Sequence, residues 1–431
     1  MRFRNLDDWL RWQESLHPRA IELGLERVAA VAGRMGWPAP DFAILTVGGT
    51  NGKGSTVAFL EAILEEGGYR TGAYTSPHLL RYNERVRLRR EPTSDEALCE
   101  AFERVDRARG EVSLTYFEFG TLAAMDLFRW AELDAVVLEV GLGGRLDAVN
   151  AFEPDVAVVT TVDLDHQDWL GPDRESIGRE KAGIFRPGRP AICGDPDPPQ
   201  SLLDVARERG TDLRLAGRDY RYALRASAWD WASADRRLDG LPLPALPGRF
   251  QVQNAAAALA ALETLSDRLP VDRRALERGL GAARIPGRLQ VFPGPVERIL
   301  DVAHNPQGVR ELVAFLQSRP CAGATHALFA MLADKDLAAA LEAAAPVVDR
   351  WHLADLPGPR GLPAEAMRTV LEGLGLGDRV NVYPDVETAY RRLLERVRPP
   401  DRIVVFGSFL TVGPALRVES SRASPETLNY G

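Results

Sequence analysis

An α/β fold with two sheet domains is predicted by three features of this 431-residue sequence. The segments 134–140 and 155–162 are apolar and β-branched, which is typical of strands that are buried on both faces of a parallel sheet. Segments with helical periodicity alternate with such strands, and this alternation is interrupted near residue 220 and resumes after residue 286. We therefore predict a doubly wound, mostly parallel sheet domain over residues 1–285, followed by a smaller Rossmann-like α/β domain over residues 286–431.

The elements of the first domain follow from periodicity and from flanking residues. An amphipathic helix is predicted over Leu16–Val31, and the strand Phe42–Val47 leads through glycines into a helix over Ser55–Glu66. Further predicted elements are a strand at Arg70–Tyr74 and helices at Ser94–Arg109, Glu118–Trp130 and Phe250–Leu265. Residues 220–250 hold two tryptophans, several prolines and short alternating stretches, which predicts a small antiparallel appendage on this domain.

The second domain is predicted from a hinge and the strand candidates that follow it. Ile285-Pro286-Gly287 combines a proline with a glycine, which is typical of a turn or linker. The strand candidates beyond it are Arg298–Val302, His326–Met331, Val347–Leu353, Val380–Tyr383 and Arg402–Phe406. Helical periodicity lies between them, for example over Pro306–Leu316 and Val386–Arg396, so the α/β alternation extends into this domain.

Composition and charge narrow the possible partners. The formal net charge is -8 and the sequence pI is near 5.5, so the surface repels polyanions and we expect no nucleic-acid partner. Cys99, Cys193 and Cys321 are too far apart for a metal-binding spacing, and we expect reduced thiols.

Residues 1–10 lack the apolar core of a signal peptide, and no apolar run approaches the roughly 18 residues of a membrane span. We expect a cytoplasmic monomer without membrane association.

The segment from Gly48 to Ser55, Gly-Gly-Thr-Asn-Gly-Lys-Gly-Ser, is the most specific motif in the sequence and lies between a strand and a helix. Its glycines allow backbone N–H groups to surround phosphate oxygens, and the helix N-terminus adds a favourable dipole. Lys53 supplies a positive charge for phosphates, so the first domain is predicted to be a P-loop domain. A glycine-rich turn with an exposed lysine is the alternative, because Val47 and Gly54 depart from the standard pattern.

Polar residues follow the next two buried strands, at the sheet edge where α/β proteins bind ligands. Glu139 lies at the end of one strand beside a glycine-rich run, and a buried carboxylate there requires a cation. Magnesium is the natural candidate because it prefers oxygen ligands, and an ion pair with Arg145 is the alternative. His166 follows the neighbouring strand and can converge with Glu139.

These motifs and several others occur in the order that is typical of one enzyme family. The resemblance extends from Leu16 to Val412. The motifs are Gly49–Ser55, Thr75–Leu79, Asn83–Val86, Leu138–Asp147, Asp163–Asp168, Glu180–Ile184, Phe250–Ala256, Pro286–Arg288, Leu300–Pro306 and Phe406–Gly413. The set resembles the folylpolyglutamate synthases and dihydrofolate synthases of the Mur ligase superfamily. Val302 stands where that family usually has glycine, a difference that affects only the local backbone.

The resemblance implies an ATP-dependent ligase in which both domains contribute site residues. It implies ATP binding by Gly49, Thr50, Asn51, Gly52, Lys53, Gly54, Ser55, Asn254, Arg288 and Asp301. It implies that two magnesium ions are bound by Ser76, Glu139, His166 and a carbamylated Lys181. It implies substrate contacts for Arg85, Phe117, Asp147 and Ser408, and catalytic roles for Lys53, Lys181, Arg288 and His304. From the residues alone, His166 is a polar loop residue, Lys181 a solvated lysine, Asn254 a helix-surface amide and Ser408 part of a glycine turn.

The implied activity is the addition of L-glutamate to dihydropteroate and to reduced folates through an acyl phosphate. Leu16-His17-Pro18 with Gly24-Leu25-Glu26-Arg27 resembles the bacterial bifunctional enzymes, and a monofunctional folylpolyglutamate synthase is the alternative. A cell-wall Mur ligase is disfavoured because only about 40 residues precede the phosphate loop, too few for its additional N-terminal domain. A nucleotide-binding switch, which belongs to a different functional class, would not need Glu139, His166 and Lys181 together.

Overall fold

The computed structural model describes residues 1–422, and its contacts divide the chain into two compact units. The first unit comprises Met1–Ala245 and Gln251–Ala283. The second comprises Leu246–Phe250 and the chain from Arg284 onward. Each unit is built around its own sheet.

The first unit contains an eight-stranded sheet with the strand order β4-β3-β2-β5-β1-β6-β7-β8. The strands are β1 (Ala43–Gly48), β2 (Thr71–Tyr74), β3 (Val86–Leu88), β4 (Glu91–Pro92), β5 (Ala135–Glu139), β6 (Val156–Val159), β7 (Pro190–Cys193) and β8 (Asp212–Leu215). The β2–β3 and β3–β4 pairs are antiparallel and the other five pairs are parallel, so the predicted mostly parallel sheet is confirmed. Val47 pairs with Glu139 and Gly48 with Val159, so the segments after β1, β5 and β6 emerge at one edge.

Helices cover this sheet and bury its apolar strands. They are α1 (Leu6–Leu16), α2 (Glu26–Met35), α3 (Lys53–Glu66), α4 (Asp95–Arg109), α5 (Tyr116–Trp130), α6 (Gln167–Leu170), α7 (Arg174–Lys181), α8 (Gln200–Arg209), α9 (Phe250–Thr264) and α10 (Arg273–Ala282). The single helix predicted over Leu16–Val31 is wrong, because α1 ends at Leu16 and α2 begins at Glu26. Pro18 disfavours helical backbone at His17, which is extended (φ -118°, ψ 139°).

A three-stranded antiparallel sheet forms the appendage that the sequence predicted near residues 220–250. Its strands are β9 (Tyr220–Leu224), β10 (Ala228–Ser233) and β11 (Arg237–Pro242), in the order β11-β10-β9. Trp229 and Trp231 are fully buried, and their indole N–H groups donate to the carbonyls of Pro242 (2.9 Å) and Ala256 (3.2 Å). The sheet ends at Pro242, and residues 246–250 already belong to the second unit.

The second unit contains a six-stranded sheet with the order β12-β13-β17-β14-β15-β16. Its strands are β12 (Gln290–Phe292), β13 (Glu297–Leu300), β14 (Thr325–Phe329), β15 (Arg350–Ala354), β16 (Val380–Tyr383) and β17 (Arg402–Phe406). Its helices are α11 (Pro306–Ser318), α12 (Leu337–Ala344), α13 (Ala364–Gly373), α14 (Val386–Arg396) and α15 (Phe409–Arg422). All neighbours except β12 pair in parallel, so the second α/β sheet is confirmed.

Membrane insertion of a helix is not supported by the described part of the chain. Within residues 1–422, no helix has both the length and the apolar character needed to cross a bilayer.

Candidate active site

The phosphate loop begins at the end of β1 and continues into α3. Gly49 (φ 141°) and Gly52 (φ 87°) adopt backbone conformations that favour glycine. A Cβ added to these residues would lie only 1.9 Å and 2.4 Å, respectively, from side-chain oxygens of neighbouring elements. The Lys53 Nζ donates hydrogen bonds to the carbonyls of Gly49 (2.9 Å) and Thr50 (3.1 Å). The ammonium of Lys53 therefore lies over the loop.

Two threonines after β6, which no sequence motif identified, hold this loop in place. Thr160 Oγ1 donates to the carbonyls of Gly48 (3.2 Å) and Asn51 (2.6 Å). The carbonyl of Thr161 accepts the N–H of Thr50 (2.7 Å), and Thr161 Oγ1 accepts the N–H of Asn51 (3.2 Å). A pair of hydroxyl residues directly after a buried strand is the sequence signal that could have identified them.

The first turns of α9 pack against the same loop. Gln251 Nε2 donates to Ser55 Oγ (3.1 Å), and Asn254 Nδ2 donates to Gln251 Oε1 (3.0 Å), with all three side chains buried. The Asn254 amide lies against Gly52. The structure thus places Asn254 beside the phosphate loop, and its contact with adenine stays a prediction. Gln251 belongs to the same sequence motif but was not among the predicted site residues.

Glu139 is a buried carboxylate beside the start of α3. Its Oε2 accepts the backbone N–H of Ser76 at 3.1 Å, and both its oxygens lie 3.9 Å from the position that a Cβ of Gly54 would occupy. The alternative partner, Arg145, instead forms an ion pair with Glu180 at 2.8 Å. Ser76, Glu139 and the phosphate loop therefore lie together at the sheet edge, and their contacts with metal and ATP stay predictions.

Lys181 is a buried lysine at the end of α7, whose N-terminus is capped by Asp173. Burial lowers the pKa of Lys181 to about 7, and the nearby Lys53 adds to this effect, whereas Asp165 and Asp147 oppose it. The alternative prediction from the sequence, that Lys181 is solvated, is therefore wrong. Two lysines and two aspartates share this edge of the sheet.

Asp147 organises the glycine-rich segment after β5. Its Oδ2 accepts the N–H of Leu142 (2.8 Å) and its Oδ1 accepts the N–H of Val149 (3.1 Å). Burial raises the pKa of Asp147 to about 7, against the opposing effect of these N–H groups and of Lys53. Both carboxylate oxygens thus have backbone partners, and a contact between Asp147 and substrate stays a prediction.

The donor atoms at this edge suit magnesium. Among residues 1–422, no group of three or more His, Cys, Asp or Glu side chains has the arrangement of a metal site. Magnesium, however, is usually bound through one or two carboxylates, with water and substrate phosphates completing the shell. Glu139 beside the phosphate loop, with Ser76 adjacent, fits that pattern. His166 precedes α6 and lies 3.9 Å from Asp165, and its metal contact stays a prediction.

Arg85 lies among aromatic rings in the segment between β2 and β3. Its guanidinium carbon is 5.4 Å from the ring centroid of Tyr82 and 5.5 Å from that of Tyr116. Its Nε donates to His78 Nδ1 at 2.9 Å. Burial, reinforced by Arg85, lowers the pKa of His78 to about 4, so the imidazole is neutral at pH 7 and can accept this hydrogen bond.

Phe117 lies in the first turn of α5, next to the glycine-rich segment after β5. Its ring centroid is 5.7 Å from that of Tyr74. A Cβ on Gly141 would lie 2.6 Å from the Phe117 ring, so the ring packs directly on the backbone of that segment. The predicted contact between Phe117 and a substrate ring stays a prediction.

Asp301 has a similar organising role in the second unit, directly after β13. Its Oδ2 accepts the N–H of Leu289 (2.7 Å) and its Oδ1 accepts the N–H of Ala303 (2.8 Å). Burial raises the pKa of Asp301, against the opposing effects of Arg288 and of these N–H groups. Asp301 therefore fixes the backbone on both sides of the strand end and lies close to Arg288.

The other predicted residues of the second unit gather around the same strand ends. The Arg288 guanidinium carbon lies 5.6 Å from the ring centroid of Phe409, and the His304 ring lies 6.1 Å from it. His304 Nδ1 is 2.8 Å from the carbonyl of Val302. Ser408 is buried, and its Oγ accepts a backbone N–H two residues further on at 3.1 Å. The second unit thus brings Arg288, Asp301 and His304 together, Ser408 directly precedes Phe409, and the ligand contacts of all four predicted residues stay predictions.

Two family models match the two units of the chain. The model of the Mur ligase middle domain matches residues 47–262, and the model of the Mur ligase glutamate ligase domain matches residues 287–409.

Individual relatives match nearly the whole chain. The dihydrofolate synthase/folylpolyglutamate synthase of Escherichia coli K12 is 46% identical over 97% of this chain and 96% of its own length. The structure of E. coli FolC in complex with DHPP and ADP matches with a TM-score of 0.91 at 46% identity, covering 98% of this chain and 99% of that one. A bifunctional folylpolyglutamate synthase/dihydrofolate synthase with Mn, AMPPNP and L-glutamate bound matches with a TM-score of 0.89 at 46% identity, covering 97% and 98%. The chain therefore belongs to the dihydrofolate synthase/folylpolyglutamate synthase family of the Mur ligase superfamily.

Proposed function

We propose that this chain joins L-glutamate both to dihydropteroate and to reduced folates, with conversion of ATP to ADP and phosphate. As a member of its family the chain is an ATP-dependent ligase that adds glutamate to folates and uses a divalent metal. One observation carries the proposal: Lys53 and its phosphate loop lie at the same sheet edge as the buried carboxylate Glu139. Relatives solved with DHPP, ADP and L-glutamate support these substrate classes for this chain.

The first chemical step activates the pteroate or folate carboxylate. A carboxylate oxygen attacks the γ-phosphorus of ATP, the bond to the β-phosphate oxygen breaks, and an acyl phosphate and ADP result. Lys53 and the backbone N–H groups of its loop bind the phosphates and stabilise the charge of the transition state. A divalent metal bound at Glu139 and Ser76 would offset negative charge on the phosphoryl oxygens.

The second step forms the amide. The neutral α-amine of L-glutamate attacks the acyl carbon, the bond to the phosphate oxygen breaks, and the amine releases its proton as phosphate departs. Exclusion of water protects the acyl phosphate from hydrolysis during this step. From the second unit we propose that Arg288 binds phosphate, that Asp301 and His304 act on nucleotide or acceptor, and that Ser408 binds the amino acid.

Lys181 is proposed to react with carbon dioxide. Only a neutral amine can form the carbamate, and the pKa of about 7 leaves a large share of Lys181 neutral near pH 7. The product carries a carboxylate-like group in place of an ammonium, so it can bind a second metal ion. This supports the predicted site with two magnesium ions.

The proposed function is tested by product analysis of the purified protein. ATP, magnesium and L-glutamate are supplied with dihydropteroate in one reaction and with tetrahydrofolate in another, and the products are weighed by mass spectrometry. We expect one added glutamate residue in both reactions, and ADP release that requires both organic substrates. Extension of tetrahydrofolate alone would leave a monofunctional folylpolyglutamate synthase, and ADP release without amide product would contradict the ligase function.

A further inference from the structure

A buried ion pair joins α3 to β3 behind the phosphate loop. Glu61, about two turns after Lys53 on α3, is buried, and Arg87 lies on β3 with 20% of its side chain exposed. Arg87 Nη2 donates to Glu61 Oε2 at 2.8 Å, and its Nε lies 3.1 Å and 3.2 Å from the two carboxylate oxygens. This two-pronged geometry fixes the plane of the guanidinium.

The third nitrogen of the guanidinium points to a different segment. Arg87 Nη1 donates to Thr75 Oγ1 at 3.0 Å and to the carbonyl of Glu84 at 3.1 Å. The residue after Thr75 is Ser76, whose N–H donates to the Glu139 carboxylate at 3.1 Å. Contacts therefore run without a gap from α3 through Arg87 and Thr75 to the residues beside the phosphate loop.

Stability alone does not account for the choice of these residues. A buried ion pair has a large desolvation cost and is often no more stabilising than apolar residues of the same size. Arginine can, however, hold a carboxylate with one side of its planar fork while it donates from the other side, which lysine cannot do. Arg87 uses this property to join α3 to the segment of Thr75 and Ser76, and the Ser76 N–H contacts Glu139.

We infer that Arg87, oriented by Glu61, is a positioning residue of the ATP site that holds Thr75 and Ser76 in place beside Glu139. This role depends on the ligase function proposed above, because it concerns the same phosphate and metal site. Arg87 does not contact the reacting atoms itself. It determines where the Ser76 hydroxyl and the Glu139 carboxylate are presented.

The most selective test removes the Thr75 hydroxyl, which accepts the positioning bond from Arg87 and also donates to the carbonyl of Glu84 at 3.4 Å. Thr75→Val keeps the shape of the side chain and the ion pair but removes the hydroxyl, whereas Thr75→Ser keeps the hydroxyl. We expect Thr75→Val to weaken the binding of Mn²⁺ with AMPPNP, measured by electron paramagnetic resonance, and to lower kcat, each about tenfold. Thr75→Ser should restore both values to within about twofold of the original protein.

Arg87→Lys tests the fork itself, and the chain offers a matched control. Arg298 and Glu419 in the second unit form a similar pair, with 16% and 4% of the side chains exposed and a 3.0 Å contact. Arg298 also donates to a backbone carbonyl, that of Val296, at 2.9 Å. We expect Arg87→Lys to lower kcat and Mn²⁺ binding about 10- to 100-fold, and Arg298→Lys to lower Tm without a change in either.

Two outcomes would overturn the inference. One is a Thr75→Val protein with unchanged Mn²⁺ binding and kcat. The other is an Arg298→Lys protein that loses as much kcat as Arg87→Lys at a similar Tm. Failure of the proposed function looks different, because the unmodified protein would then form no amide product while the Mn²⁺ and AMPPNP measurements would still test Arg87.

Discussion

Each of the two units contains a buried aspartate with the same hydrogen-bond pattern, but the charged groups around the two aspartates differ. Asp147 and Asp301 each follow a strand and accept two backbone N–H groups. Lys53 lowers the pKa of Asp147, and Asp147 raises the pKa of Lys181. The cation with the largest effect on the pKa of Asp301 is instead Arg288. Burial can bring the pKa of a lysine near neutrality, but an arginine stays protonated. The first edge can therefore change its charge near pH 7, whereas the second keeps a fixed cation.

Removal of Lys53 should have the largest effect on activity. Lys53→Ala eliminates the ammonium over the phosphate loop, and we expect kcat/KM for ATP to fall about 10³-fold. Lys53→Arg tests whether positive charge alone is enough. It keeps a cation, but the planar guanidinium does not fit the position of the compact ammonium. Steady-state kinetics at saturating glutamate measure both variants. A Lys53→Ala protein with its original kcat/KM would contradict the phosphate-binding role.

Lys181→Arg tests whether the first edge needs a group that can lose its proton. Arginine keeps a positive charge at pH 7 and cannot form the carbamate, so we expect kcat to fall about 10²-fold. In the original protein, ¹³C-labelled bicarbonate should give a carbamate signal by NMR that Lys181→Arg lacks. Full activity of Lys181→Arg would show that the comparison between the two edges has no functional meaning.

The small number of lysines was a further sequence signal for the strand-end site of the first unit, and the motif search did not use it. The printed sequence contains three lysines, Lys53, Lys181 and Lys335, among 53 residues that are lysine or arginine, so 50 are arginine. Two of the three lie in the candidate site. Because arginine is the cation at the other 50 positions, Lys53 and Lys181 stand out as positions where a compact cation or a pKa that burial can shift has a use.

The other site residues were predicted in two ways, by the rule that ligands bind where parallel strands end and by the family resemblance. Glu139, the last residue of a buried strand, was identified because parallel strands end at one edge, whereas Asp301 was identified through the family resemblance. The contact between Gln251 and Ser55 joins residues 196 positions apart, and that between Arg87 and Glu61 joins residues 26 apart. Periodicity describes one element at a time, so it contains no information on such pairs.

Asparagine replacements of the two aspartates compare the edges directly. Asp147→Asn and Asp301→Asn each keep one acceptor oxygen but place an amide N–H against a backbone N–H, which should lower the free energy of unfolding by about 1–3 kcal/mol. Urea unfolding measures this loss. Asp147→Asn should also lower the pKa of Lys181 further, because Asp147 raises it in the original protein. Equal effects of both variants on kcat would contradict the difference between the edges.

The second unit also contains a pair of histidines within its sheet, one of which has a strongly lowered pKa. His352 Nδ1 lies 3.2 Å from the Tyr383 hydroxyl, His352 Nε2 lies 3.2 Å from His326 Nδ1, and His326 Nε2 lies 3.2 Å from Asp401 Oδ2. With both rings neutral, each group can donate to the next, from Tyr383 to Asp401. A second proton on His352 would remove the acceptor that Tyr383 uses.

The smallest expected effect is a loss of stability in acid that depends on His352. Burial, with contributions from His326 and Arg350, lowers the pKa of His352 from 6.5 to about 4. As pH falls from 6.5 to 4, the unfolded chain binds a proton at this residue that the folded chain does not, so stability decreases and then levels off below pH 4. We expect this residue to contribute about 1–3 kcal/mol of that decrease in urea unfolding.

His352→Gln keeps a donor and an acceptor but does not titrate, so its stability should decrease less over the same range. Equal slopes for His352→Gln and the original protein would show that the folded sheet accommodates the charged ring, and the second unit would then resemble the first in tolerating a change of charge.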